Sequence, residues 1–106
     1  LAHIVELDSN LLHAIMLTST PCLMYWEPAT LLVMSSVSRW RQAGLPVCFT
    51  VDAGPNVHCL CLSESAGAVA DRLKELPGVK YLIRSSPGGP ARLVTGQEGM
   101  AATRMI

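Results

Sequence analysis

A chain of 106 residues, half of them apolar, is long enough for one domain with a buried core. Its 8 basic and 8 acidic side chains cancel, and a charged share of 15% leaves no basic surface for nucleic acid. The apolar runs are short and interrupted, which excludes a bilayer-spanning helix of ~20 residues.

From Leu1 to about residue 17, Ile4, Leu7, Leu11, Ala14 and Ile15 recur at helical spacing while His3, Glu6 and Asn10 take other faces, so an amphipathic helix is expected with that apolar stripe inward. His13 lies one turn from Asn10; it is either a buried structural histidine or a site residue. The periodicity is already running at Leu1, with no Met start and no cationic signal segment, so a piece of a longer intracellular, cytoplasmic protein is expected. Thr18 to Pro28 holds two prolines and the run Cys22-Leu23-Met24-Tyr25-Trp26, an extended crossing in which Tyr25 and Trp26 either line a groove or anchor packing.

A second helix is expected from Pro28 to Gly44, with Leu31, Met34, Val37 and Trp40 or Arg41 inward; Arg39 and Arg41 suit the negative end of its dipole. Two strands follow, Val47 to Asp52 and from Val57, joined by turn-forming residues. Asp52 then stands at a strand end, either capping the turn or facing a groove. A third helix from about Ser63, its N-cap, to Leu76 places Ala66, Val69, Ala70, Leu73 and Leu76 inward and stops at Pro77-Gly78. Val79 to Arg84 reads as a third strand, residues 85–90 as a tight turn, Ala91 to Val94 as a short returning strand, and residues 95–106 as a tail.

Of the four cysteines, Cys48, Cys59 and Cys61 fall in strands and none has the C-x-x-C spacing of a zinc site, so four reduced thiols and no metal are expected. The glycines of 85–90 match no Walker or Rossmann pattern. The element order predicts an α+β fold, an antiparallel sheet with helices on one face.

Three ordered segments resemble the diphosphomevalonate decarboxylase family of the GHMP kinase superfamily: Asp8-Ser9-Asn10 with His13-Ala14, Phe49-Thr50-Val51-Asp52-Ala53-Gly54-Pro55-Asn56, and Gly78-Val79-Lys80-Tyr81-Leu82-Ile83 followed by Gly89-Pro90. The resemblance implies the carboxyl-terminal domain of that family, a ferredoxin-like split βαβ layer whose first strand would precede Leu1. It also implies ATP-dependent phosphorylation of the tertiary C3 hydroxyl of mevalonate 5-diphosphate, then loss of phosphate and carbon dioxide to give isopentenyl diphosphate.

On that resemblance Asp52 is the catalytic carboxylate and Ala53 and Gly54 belong to the substrate groove. The partnering arginine, the ATP loop and most contacts to ATP and Mg2+ lie outside the chain, which alone is expected to be inactive. The implied assembly is a homodimer with a small-molecule substrate. The alternatives are a phosphomevalonate decarboxylase, a GHMP small-molecule kinase, and a ferredoxin-like binding module without catalysis.

Overall fold

A computed structural model describes residues 1–96, so most of the expected tail at 95–106 lies outside the described residues. Helix α1 spans Ala2–Leu17, α2 Pro28–Gln42, strands β1 Val47–Val51 and β2 Val57–Cys61, and α3 Ala66–Lys74 after a 3-10 turn at Ser63–Ser65. The α+β class follows.

β1 and β2 pair antiparallel, with Val47 opposite Cys61 and Val51 opposite Val57. Side chains alternate along a strand, so Val47, Phe49 and Val51 share one face with Val57, Cys59 and Cys61. That face meets Val33 and Val37 of α2 and Val69 and Leu73 of α3 in the core. Burying each of these large side chains contributes roughly 1.5–3 kcal/mol.

Helix α1 forms as its periodicity predicts but presents the opposite side. Ile4, Leu7, Leu11 and Ile15 are exposed, while Glu6, Ser9 and His13, spaced three and four apart, turn inward. The reason lies in β1, whose edge away from β2 carries backbone groups that no strand engages. Leaving such a group buried and unpaired costs about 1–3 kcal/mol each, and the polar face of α1 supplies the missing partners, so it takes the inside. Glu6 accepts from the Phe49 N–H at 3.3 Å, and Ser9 and His13 engage Val51. From α2, Arg41 Nη1 donates to the Val47 carbonyl at 3.1 Å. The edge strand is closed by side chains.

In α2 the buried residues are Thr30, Val33, Ser36 and Val37, while Leu31 is exposed; Met34 and Trp40 pack on the core as expected. The stripe is rotated from the expected one because Thr30, not Leu31, must face the hairpin turn. Ser63 does not cap α3, for the entering 3-10 turn satisfies the Ser65 N–H with the Leu62 carbonyl at 2.9 Å. Val69, Ala70 and Leu73 are buried and Leu76 packs on the core, as their spacing predicts. Pro77-Gly78 ends the helical region; Gly78 has φ of 88°, and a Cβ there would sit 2.8 Å from Ala29 Cβ.

Residues 79–84 and 91–94 form no strand, against expectation. Val79 and Leu82 lean on the core, whereas Tyr81 and Ile83 project outward. A strand requires a partner edge as well as β-favouring side chains. The edge of β1 is covered, and a groove separates 79–85 from β2.

Candidate functional site

Residues 52–56 carry the chain from β1 to β2. Val51 points into the core, so alternation sends Asp52 the other way, and its side chain is 78% exposed. Its Oδ2 lies 3.9 Å from Nε2 of His58 on β2, a pair too exposed to hold the carboxylate firmly. Sequence reasoning missed His58, although its place two residues into β2 puts it across the turn. Gly54 has φ of 147°, a conformation suited to glycine, with open space where a Cβ would be.

A groove of about 530 Å³ opens on the core side of the hairpin, bordered by Val57, Cys59 and Cys61, floored by Val69 and Leu73, and flanked by residues 79–85. Pro55, Asn56 and His58 reach its rim, but Asp52, Ala53 and Gly54 do not line it. The strand alternation that buries Val51 turns Asp52 outward, away from this groove.

The turn is gripped on both sides. The Ser9 hydroxyl donates to the Val51 carbonyl at 3.2 Å and accepts from the Val51 N–H at 2.9 Å. His13 Nε2 lies 2.8 Å from the same carbonyl, which can only accept, so Nε2 carries a proton. The His13 ring is seated against Trp26, centroids 4.9 Å apart, and edge-on to Tyr25 at 6.5 Å. On the far shoulder the Thr30 hydroxyl donates to the Pro55 carbonyl at 2.7 Å and accepts from the Glu27 N–H at 3.2 Å. Ser9, His13 and Thr30 are each 2% exposed.

Tyr25 and Trp26 serve packing around His13 and do not line the groove; Trp26 Nε1 is buried without a hydrogen-bond partner. Arg41 does more than complement a helix dipole. It makes a two-pronged contact with Glu6, with Nη2 to Oε2 at 2.8 Å, and that hydrogen bonding holds the guanidinium above its ordinary range. Arg39 donates to Ser36 on its own helix.

All four cysteines are unbridged, Cys22 exposed and Cys48 buried. Burial, then the neighbouring Cys61, pushes the Cys59 thiol up to about 12, and burial also raises Cys48. Among the described residues no three His, Cys, Asp or Glu converge to hold a metal, and no helix is long and apolar enough to cross a membrane. Residues 85–90 are exposed and start no helix.

The family described as the mevalonate 5-diphosphate decarboxylase C-terminal domain matches residues 1–95. A phosphomevalonate decarboxylase of Haloferax volcanii is 29% identical over 98 residues, which are 92% of this chain and 30% of that protein. The mevalonate pyrophosphate decarboxylase from Streptococcus pyogenes superposes with a TM-score of 0.66 at 34% identity, over 70% of this chain and 23% of its own. A structure described as MDDEF in complex with MVAPP, AMPPCP and magnesium matches with a TM-score of 0.66 at 35% identity, over 70% of this chain and 23% of its own. The chain spans about a third of the curated relative's length and about a quarter of the solved structures.

Proposed function

Because the chain belongs to the mevalonate 5-diphosphate decarboxylase C-terminal domain family, we propose that it is the corresponding domain of an ATP-dependent decarboxylase acting on mevalonate 5-diphosphate to give isopentenyl diphosphate. The observation that carries the chemistry is Asp52, a solvent-facing carboxylate on a turn gripped at both shoulders. Transfer of a phosphoryl group to a tertiary hydroxyl depends on holding that oxygen in line and accepting its proton. A carboxylate does both within hydrogen-bond reach, and Asp52 has that role in this reading. Ala53 and Gly54, beside it on the turn, give the substrate backbone to approach.

ATP and Mg2+ enter this proposal through the rest of the enzyme. The MDDEF complex, with AMPPCP and magnesium, supports their place in the reaction. The groove between β2 and residues 79–85 fits the split βαβ layer in the same way: two strand-forming stretches border a gap that one further strand, supplied from outside this chain, would fill. A homodimer in the cytoplasm completes the reading, and light scattering of the whole enzyme at micromolar concentration tests the assembly.

The test of the chemistry is Asp52→Asn in the intact enzyme. Losing one positioned proton acceptor typically costs ~10²–10⁴-fold in rate, so kcat should fall by that order while ATP affinity holds. A variant within threefold of wild-type kcat removes Asp52 from the mechanism. The Haloferax volcanii relative supports a second reading, with mevalonate monophosphate as substrate. Comparing kcat/KM for the two phosphorylated mevalonates separates the readings, and phosphorylated product accumulating without carbon dioxide would point instead to a kinase.

A further inference from the structure

We propose that Ser9, His13 and Thr30 are positioning residues that set the direction of the Asp52 carboxylate by fixing the backbone on both sides of it. The proposal rests on the reading of Asp52 as the catalytic carboxylate. Val51, the residue immediately before Asp52, has its N–H and its carbonyl both engaged by the single Ser9 hydroxyl, and the carbonyl receives a second donor from His13. Pro55, three residues after Asp52, is held by Thr30 from a different helix. The residues between are left to the glycine geometry of Gly54. An exposed carboxylate on an unheld five-residue loop would sweep a wide arc; here the arc is confined at both roots.

Covering a strand edge accounts for only part of this arrangement. Phe49, in the middle of β1, receives one contact of 3.3 Å from Glu6, whereas Val51 at its end receives three bonds of 3.2 Å or shorter. The Pro55 carbonyl belongs to no ladder, yet it has the shortest of these bonds, 2.7 Å, from a side chain that is 2% exposed. Burying three polar side chains is unfavourable unless each is bonded, and each of these spends its bond on a backbone group at one root of the turn. The polar grip is concentrated where the carboxylate leaves the fold. His13 adds rigidity of its own, since Trp26 and Tyr25 fix its ring.

The experiment uses the intact enzyme with ATP and mevalonate 5-diphosphate. Ser9→Ala, His13→Leu and Thr30→Val each should lower kcat by ~10–100-fold, the effect of displacing a reacting group by about an ångström, with little change in either KM. His13→Gln and Thr30→Ser, which keep a donor in place, should recover most of the rate. The deciding measurement repeats Ser9→Ala and Thr30→Val on the Asp52→Asn background, where a residue acting through the carboxylate has nothing left to position and the residual rate should not drop further. An undiminished kcat in the single variants, or an equal loss with and without the Asp52 carboxylate, overturns the proposal. Asp52→Asn alone decides the underlying assignment, and wild-type turnover there removes both. Thr30→Val leaves α1 intact, so it carries the test if the α1 variants do not fold.

Discussion

Val47–Val51 and residues 79–84 are both rich in strand-forming side chains, and they meet opposite fates. β1 has β2 on one edge and the side chains of Glu6, Ser9, His13 and Arg41 on the other. Residues 79–84 touch the core only through Val79 and Leu82 and join no ladder. Strand propensity is thus a statement about side chains on a pleated surface, and the backbone needs its own partners. Those partners need not be another strand. In β1 one hydroxyl, one imidazole, one carboxylate and one guanidinium do that work.

The sharpest break of this comparison exchanges an aromatic residue in each stretch. Phe49 is 4% exposed in the core and Tyr81 is 75% exposed. Phe49→Ala should cost ~3–5 kcal/mol in urea unfolding at fixed chain concentration, and Tyr81→Ala should stay within about 0.5 kcal/mol. If Tyr81→Ala costs as much as Phe49→Ala, residues 79–84 are held as firmly as β1 and the contrast disappears.

Much of this was legible in the residues. The hairpin is written in the alternation of Val47 to Val51 and in the turn formers after Asp52, and the three helices in their periodicity and their Pro and Gly boundaries. The side of α1 that faces the protein was not, because periodicity locates an apolar stripe without saying where the rest of the molecule lies. A polar face of Glu6, Ser9 and His13 reads as solvent-facing until the bare edge of β1 is known. The inward place of Thr30 was hidden for the same reason, since its partner is a carbonyl 25 residues away. His13 had one signal, its place with Ser9 in the segment Asp8-Ser9-Asn10 to His13-Ala14, but its partner at Val51 emerges only from the tertiary packing. Residues 79–84 were read as a strand because a single chain's pattern reports what a segment favours and not whether an edge is within reach.

A smaller effect tests whether side chains can stand in for a strand. Arg41→Met removes the partner of Glu6, a largely buried carboxylate, and the donor to the Val47 carbonyl. Breaking a fully buried pair costs ~3–5 kcal/mol; Arg41 is a third exposed, so roughly 2–3 kcal/mol is expected. Adding Glu6→Gln should recover part of the loss, because it removes the stranded charge. Amide exchange supplies the second readout: the Phe49 N–H should lose protection in Arg41→Met, while amides of residues 79–84 exchange quickly in both proteins. A silent Arg41→Met would mean that the edge needs no side-chain cover.

The smallest effect reports on the unpaired stretch itself, through a thiol that it helps to shelter. Cys59 and residues 79–85 border the same groove, and burial holds the Cys59 thiol up near about 12 against an ordinary value of 9.0. At pH 8 its reactive thiolate is then far scarcer than in the unfolded chain, while Cys22 is exposed, so alkylation should label Cys22 first and Cys59 far more slowly. The sign for stability follows from the same shift. The folded state favours the protonated thiol, so this contribution is fully present below about pH 9 and is lost as pH rises from there toward 12, with the buried Cys48 acting in the same direction. Alkylation of Cys59 at pH 8 as fast as Cys22 would mean that residues 79–85 swing off the groove in solution. Slow labelling would mean that the stretch stays seated through Val79 and Leu82, held by packing although no ladder bond fixes it.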